Sequence, residues 1–294
     1  MKKGVLVAVA IATVAVAAAA GWWFGREGSG PGSAADASEA ARPLTAAERT
    51  ARAERLRKAR EHRHHLWREA SYVEIRQAAT DGDAVAQRRL SEIYEDCAAY
   101  AGPMSGAMRI IGSMAKAKPA SERTVIGIYN DYKRFCVQAE ADLRRNPGAA
   151  DYWLHRSAKS GDLTAEMRYF GRTVVNLDPE QVRYFVGKLK ASPEPDAMFE
   201  MSLLLPKLRE EWPDAAQAPA FNNAVAQHAW AVAACRAGHD CVAGSRVMNL
   251  LCVGMLSCDQ PDYERYLALT TGYLEQRATV ERLVAMIDRD ILER

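Results

Sequence analysis

Apolar positions recur along most of this chain at the spacing of a helix. Val280, Leu283, Val284, Ile287, Ile291 and Leu292 form a stripe able to close a final hairpin. Ile75 and Leu154 each stand one turn before an alanine that leads into a Gly-Asp pair, as the buried face of a short helix requires. Asp178-Pro179-Glu180-Gln181 is a helix start, with aspartate as N-cap, proline in the first turn and glutamine placed for a capping box. Gln260-Pro261 starts another. Pro193, Pro195, Pro206, Pro213 and Pro219 break the middle into short pieces, and alternating β-type runs are missing. The expected class is all-α.

One string occurs twice. Ala79-Thr-Asp-Gly82-Asp83-Ala-Val-Ala86-Gln87-Arg-Arg89-Leu90 aligns with Ala158-Lys-Ser-Gly161-Asp162-Leu-Thr-Ala165-Glu166-Met-Arg168-Tyr169. Gly82 and Gly161 suit the left-handed residue that ends a helix. Asp83 and Asp162 suit the N-cap of the next helix, where a carboxylate accepts a backbone N–H and meets the positive end of the dipole. Ala79 with Ala86, and Ala158 with Ala165, are expected on facing turns, where small side chains let two backbones approach. A fainter copy runs from Cys235 through Gly238 and Asp240 to Val247, and Ala197 to Met201 echoes a second helix alone. The two clear copies lie 79 residues apart, about twice the 34–47 residues of common helical repeats, so an eroded or insertion-bearing unit is expected between them.

These residues resemble the Sel1-like branch of the tetratricopeptide-type repeats. Ala79, Gly82, Asp83, Ala86, Gln87, Leu90 and Tyr94 match that pattern, and Ala158, Gly161, Asp162 and Ala165 match it again behind Tyr152-Trp153-Leu154. The resemblance implies an α-solenoid of stacked helical hairpins with an extended concave binding surface. The family's glycine-rich inter-repeat loop has no counterpart, so the expected stack is irregular.

The N-terminus changes the picture. Lys2-Lys3 precedes an uncharged apolar run from Gly4 to Phe24, whose helical length of about 30 Å matches a bilayer core. Trp22-Trp23-Phe24 reads as an interfacial belt, and the lysines keep the N-terminus in the cytoplasm. The alternative is a signal peptide cleaved after Ala18-Ala19-Ala20. Either way the remainder is exported: a single-pass bacterial inner-membrane protein with its bulk in the periplasm, or a soluble periplasmic one. The expected organisation is an anchor or signal at 1–24, a flexible linker at 25–43 with a reach of about 25 Å, a basic polar helix at 44–70 and a helical-repeat domain at 71–294.

Export bears on the cysteines. Cys97, Cys136, Cys235, Cys241, Cys252 and Cys258 are even in number, and an oxidising compartment pairs them. Cys235–Cys241, Cys252–Cys258 and Cys97–Cys136 are the economical pairs, with a crossed arrangement of the last four as competitor. A zinc site from those four and His239 is disfavoured, because five intervening residues exceed the usual ligand spacing.

Net charge is only +2, so no global field selects nucleic acid. Charge is local instead: residues 42–69 carry nine Arg/Lys against four Glu. That helix is expected to be mostly exposed and able to meet anionic lipid or cell-wall polymer, or to pair Glu48, Glu54 and Glu61 with its own arginines. His62, His64 and His65 read as a solvated face. Tyr152, Trp153, Trp212 and Trp230 are expected to pack hairpins. No nucleophile elbow, phosphate loop, zinc-protease helix or dinucleotide fingerprint is present, and neither a catalytic residue, a cofactor nor a metal is expected. The sequence therefore points to a tethered adaptor for a protein or cell-envelope component. The alternative is an envelope hydrolase, acting on peptidoglycan, with an unrecognised acid residue.

Overall fold

A computed structural model describes residues 45–101, 119–208, 210–214, 217–222, 225–255, 257–269 and 273–292. The candidate span at 4–24 and the linker lie outside them. Among the described residues no helix is long and apolar enough to cross a membrane.

The described chain is all-α, with no strand and only two isolated bridges, Leu177 with Leu208 and Val242 with Asp262. Helix α1 (Ala46–His64) opens on a capping box between Thr45 and Glu48 and runs on through a π-turn, His65–Glu69. The first hairpin is α2 (Tyr72–Thr80) and α3 (Ala84–Asp96). Then come α4 (Pro119–Arg145), α5 (Ala149–Lys159), α6 (Leu163–Thr173), α7 (Pro179–Ala191) and α8 (Pro195–Leu204). The rest is α9 (Pro219–Asn222), α10 (Ala226–Ala237), α11 (Arg246–Met255), α12 (Tyr263–Ala268) and α13 (Tyr273–Ile287).

The repeated string folds the same way twice. Gly82 has φ of +103° and Gly161 of +93°. In the first copy Gly82 N–H donates to Ala79 O and Asp83 N–H to Ala78 O; in the second, Gly161 N–H donates to Ala158 O and Asp162 N–H to Ser157 O. That is a Schellman termination, and its last residue doubles as the next N-cap. Asp83 Oδ1 accepts from Ala86 N at 2.9 Å, and Asp162 Oδ1 from Ala165 N at 2.7 Å. Turn and cap are thus one four-residue device linking two helices.

Ala79, Ala86 and Ala165 are wholly buried as expected, but Ala158 is only half-buried. Ser157 takes the buried seat in the second copy, because α5 lies against α3 and the seam is made by hydroxyls. Ser157 Oγ donates to Ala84 O and Ser91 Oγ to Ala150 O, each at 2.7 Å. The insertion expected between the copies is α4, which packs on α3 and is bridged to its C-terminal π-turn by Cys97–Cys136.

The fainter third copy is half right. Gly238 has φ of +112° and ends α10 with the same two hydrogen bonds, from Gly238 to Cys235 and from His239 to Ala234. Asp240 does not cap a helix; the chain continues to Ser245, which caps α11 by accepting from Met248 N. Ala197 is fully buried on α8, yet Glu194 stands at that helix's N-cap without a side-chain bond.

Three apolar clusters follow. One gathers α6 to α8, α10 and α13 around Trp230, whose Nε1 donates to Ala220 O, and Trp212 stacks on Phe221 beside it. The predicted C-terminal stripe from Val280 to Ile291 is buried there, with Leu292 half-buried. A second cluster joins α2, α3, α4 and α5, and a small third one sets α4 against α11. Capping at Asp178–Gln181 is as expected, and the helix expected from Gln260-Pro261 starts two residues later, with Asp262 as the cap of α12. The six cysteines form Cys97–Cys136, Cys235–Cys241 and Cys252–Cys258. The economical pairing therefore holds against the crossed and zinc arrangements.

Candidate functional site

Helix α3 is buried on nearly all sides, although it carries Arg88, Arg89, Glu92 and Asp96. Burying charge is costly unless each group is paired, and the pairing explains the arrangement. Counting three residues on from the buried alanine of each second helix gives Arg89, Arg168 and Glu200, the same register in α3, α6 and α8. Arg168 bridges the row: Nη1 donates to Glu92 Oε1 at 2.6 Å and Nε to Glu200 Oε1 at 2.7 Å. Arg88 donates through Nε to Asp162 at 3.1 Å and through Nη2 to Asp196 at 3.1 Å. Asp162 is thus both the cap of α6 and the counter-ion of α3. His239 Nδ1 lies 2.6 Å from the other oxygen of Asp196.

The electrostatics follow from burial and the guanidinium count. Burial alone would raise the Glu92 carboxyl, but Arg168, Arg246, Arg88 and Arg89 pull it down to about 2. Asp196 is likewise held well below the usual carboxylate range, against burial, by His239, Arg88 and Arg63. Glu194 goes the other way. Burial, with Asp162 and Asp196 nearby, pushes its carboxyl up to about 7.

The basic helix α1 is mostly exposed, as its composition predicts, but the chain docks at its C-terminal end. Its N-terminal part is exposed, with Arg57 paired to Glu54 and Glu61. Its C-terminal end turns inward. Arg63 Nη2 donates to Gly238 O at 3.0 Å, Arg68 pairs with Asp240 at 2.6 Å, and Trp67 Nε1 donates to Glu92 Oε2 at 2.9 Å. His62 pairs with Asp83 of the first turn, while His64 and His65 reach Glu69. Among the described residues no group of three or more His, Cys, Asp or Glu is arranged to hold a metal ion.

Beside this network lies a cleft of about 210 Å³ between the end of α1, α3, α4 and the start of α11. Trp67, Tyr132 and Phe135 give it aromatic walls, and the Cys97–Cys136 bridge lines it. Arg68, Arg89, Arg134 and Arg246 enter it together with Asp96, Asp131 and Asp240. Arg246 is occupied by Asp96 and Glu95, each at 3.0 Å. Arg89 lies with its Cζ 5.4 Å from the Trp67 ring centre and 5.6 Å from that of Phe135.

The eight turn residues and six cysteines singled out from sequence position these features without forming a site themselves. Of the four aromatic residues expected to pack hairpins, Trp212 and Trp230 are core, Trp153 is half-buried and Tyr152 is exposed. Sequence reasoning missed Arg88, Arg89, Glu92, Arg168 and Trp67. The one available signal was the pair Arg168 and Glu200, opposite charges at equal register in aligned helices. No family model matches this chain, and no curated protein or solved structure matches it.

Proposed function

We propose that this chain is an exported adaptor, held at the bacterial inner membrane by residues 4–24, whose irregular Sel1-like hairpin stack binds a protein or cell-envelope component. The supporting observation is serial packing: within the series α2, α3, α5, α6, α8, α10 and α13, each helix lies against the next member, with the intervening helices looped out between them. Such a stack holds its surface rigid and leaves the affinity to a few exposed side chains. The test is capture by the full-length chain from its own membranes, with a photoactivatable cross-linker at Arg134 and, as control, at exposed Val175. The reading expects one stoichiometric partner cross-linked from the cleft side only. Equal or no cross-linking at both positions contradicts it. Export is tested separately by intact mass, since a mature chain beginning near Gly21 replaces the anchor with a cleaved signal.

A second reading, a peptidoglycan hydrolase, draws on Glu194 alone, whose raised proton affinity suits a general acid. Glu194 lines neither this cleft nor the small one beside Trp230. Release of muropeptides by the purified chain, abolished in Glu194→Gln, is the result that reading requires.

A further inference from the structure

Four arginines of the charge network differ in one respect. Arg88 has Asp162 and Asp196, Arg168 has Glu92 and Glu200, and Arg246 has Asp96 and Glu95. Arg89 has no hydrogen-bond acceptor for its side chain among the described residues. It is only 8% exposed, and its Nε is fully buried without a partner. The nearest carboxylate oxygen, Glu92 Oε2, lies 3.7 Å away and already accepts from Trp67 Nε1, while Glu92 Oε1 accepts from Arg168. Glu92 is thus shared with Trp67 and Arg168, and the neighbouring Asp96 pairs with Arg246. A guanidinium has five N–H donors in a planar fork, and a buried donor left unmade, as Nε is here, is costly. The interior gives Arg89 Nε no acceptor and leaves the guanidinium only a loose ion pair with Glu92 and the faces of Trp67 and Phe135, yet the side chain lines an open cleft.

We propose that this cleft binds a carboxylate carried on a small apolar or aromatic stem, with Arg89 as the anchoring cation and Arg134 beside it. The inference rests on the adaptor reading only for the source of that carboxylate, an acidic side chain or chain end of a protein partner. The cleft's volume of about 210 Å³ is room for a side chain but not for a folded surface. Trp67 and Phe135 flank Arg89, so an apolar stem finds aromatic contact where its carboxylate meets the fork. Charge favours a single negative group over a dianionic phosphate. Arg68 is spent on Asp240 and Arg246 on Asp96, and Asp131 stands at the same cleft as Arg134. The start of α11 adds the partial positive charge of a helix N-terminus.

Sodium benzoate is the probe, titrated at constant ionic strength into the oxidised full-length chain in detergent and read by calorimetry and tryptophan fluorescence. One saturable site is expected, weaker for acetate and undetectable for inorganic phosphate. Arg89→Gln should lower benzoate affinity by at least about tenfold, the value of one hydrogen bond to a charged group. Arg134→Gln, an exposed substitution, should lower it by about two- to fivefold. Absence of saturable benzoate binding, or unchanged binding in Arg89→Gln, overturns the proposal. Phosphate binding tighter than benzoate overturns the carboxylate assignment. Should Arg89→Gln fail to fold, Arg89→Lys takes its place, because it keeps the charge and loses the fork; unchanged affinity there overturns the proposal equally. Partner cross-linking can fail while benzoate binds, and the converse, so the two readings fall separately.

Discussion

The Gly-Asp hairpins and the C-terminal helices are both stacked helices, but they bury different chemistry. Where α3 meets α5 and α6, the interior holds Arg88, Glu92, Asp162 and the serines of the α3–α5 seam. Where α8 meets α10 and α13, it holds Met198, Met201, Trp230, Val280 and Ile287, and α10 is fully buried and apolar from Ala229 to Ala234. Apolar burial is non-directional and contributes in proportion to area. Paired buried charges contribute little net stability, because desolvation offsets attraction, but they penalise every wrong register. The C-terminal region therefore supplies most of the cohesion, and the hairpin pair supplies alignment.

That division can be broken from either side. The largest effect is expected from Trp230→Ala, which empties the centre of the apolar cluster and strands Ala220 O; a loss of about 3–5 kcal/mol in denaturant melts is predicted. Glu92→Gln leaves Arg168 and Arg89 with a neutral partner and should cost about 3 kcal/mol at neutral pH. Its pH dependence carries a sign. Glu92 titrates near 2 in the fold against an ordinary 4.5, so its contribution is present above pH 4.5 and lost as pH falls towards 2. Parent and variant melts should converge over that window.

Smaller effects test the seams. Ala86→Leu and Ala165→Leu place a branched side chain at fully buried positions and should cost about 1–3 kcal/mol each. Ala51→Leu, on the exposed part of α1, should leave the melt unchanged. The smallest change is a gain. Glu194 prefers its proton in the fold, so stability is fully present below pH 4.5 and lost as pH rises through about 7. Glu194→Gln should match the parent at pH 4 and melt slightly higher at pH 8.

The legible parts of this fold are its local ones. Gly82 with Asp83, and Gly161 with Asp162, each act on backbone no more than five residues away, so their string carried the turn, the cap and the helix boundaries. Cys235 with Cys241 and Cys252 with Cys258 were legible for the same reason. The interior was not, because Arg88 meets Asp196 across 108 positions and Arg246 meets Asp96 across 150. A charge on a helix reads as solvated unless its partner is known. Arg63 and Arg68 belong to a segment whose composition is that of an exposed helix, and only the fold supplies their partners Gly238 O and Asp240. Ala158 illustrates the converse limit: the aligned alanine was right in sequence, but α5 approaches α3 through Ser157, and no pattern in one string tells which neighbour a helix will meet.

The central claim is that the two hairpin copies are held in register by charge, through the Glu92–Arg168 contact between α3 and α6. A double-mutant cycle of Glu92→Gln and Arg168→Met, read by denaturant melts at pH 7, isolates that pair from the Arg168–Glu200 contact. A coupling of at least about 2 kcal/mol is predicted. Additive losses, with coupling below about 0.5 kcal/mol, would contradict it and leave the apolar seams alone to align the stack.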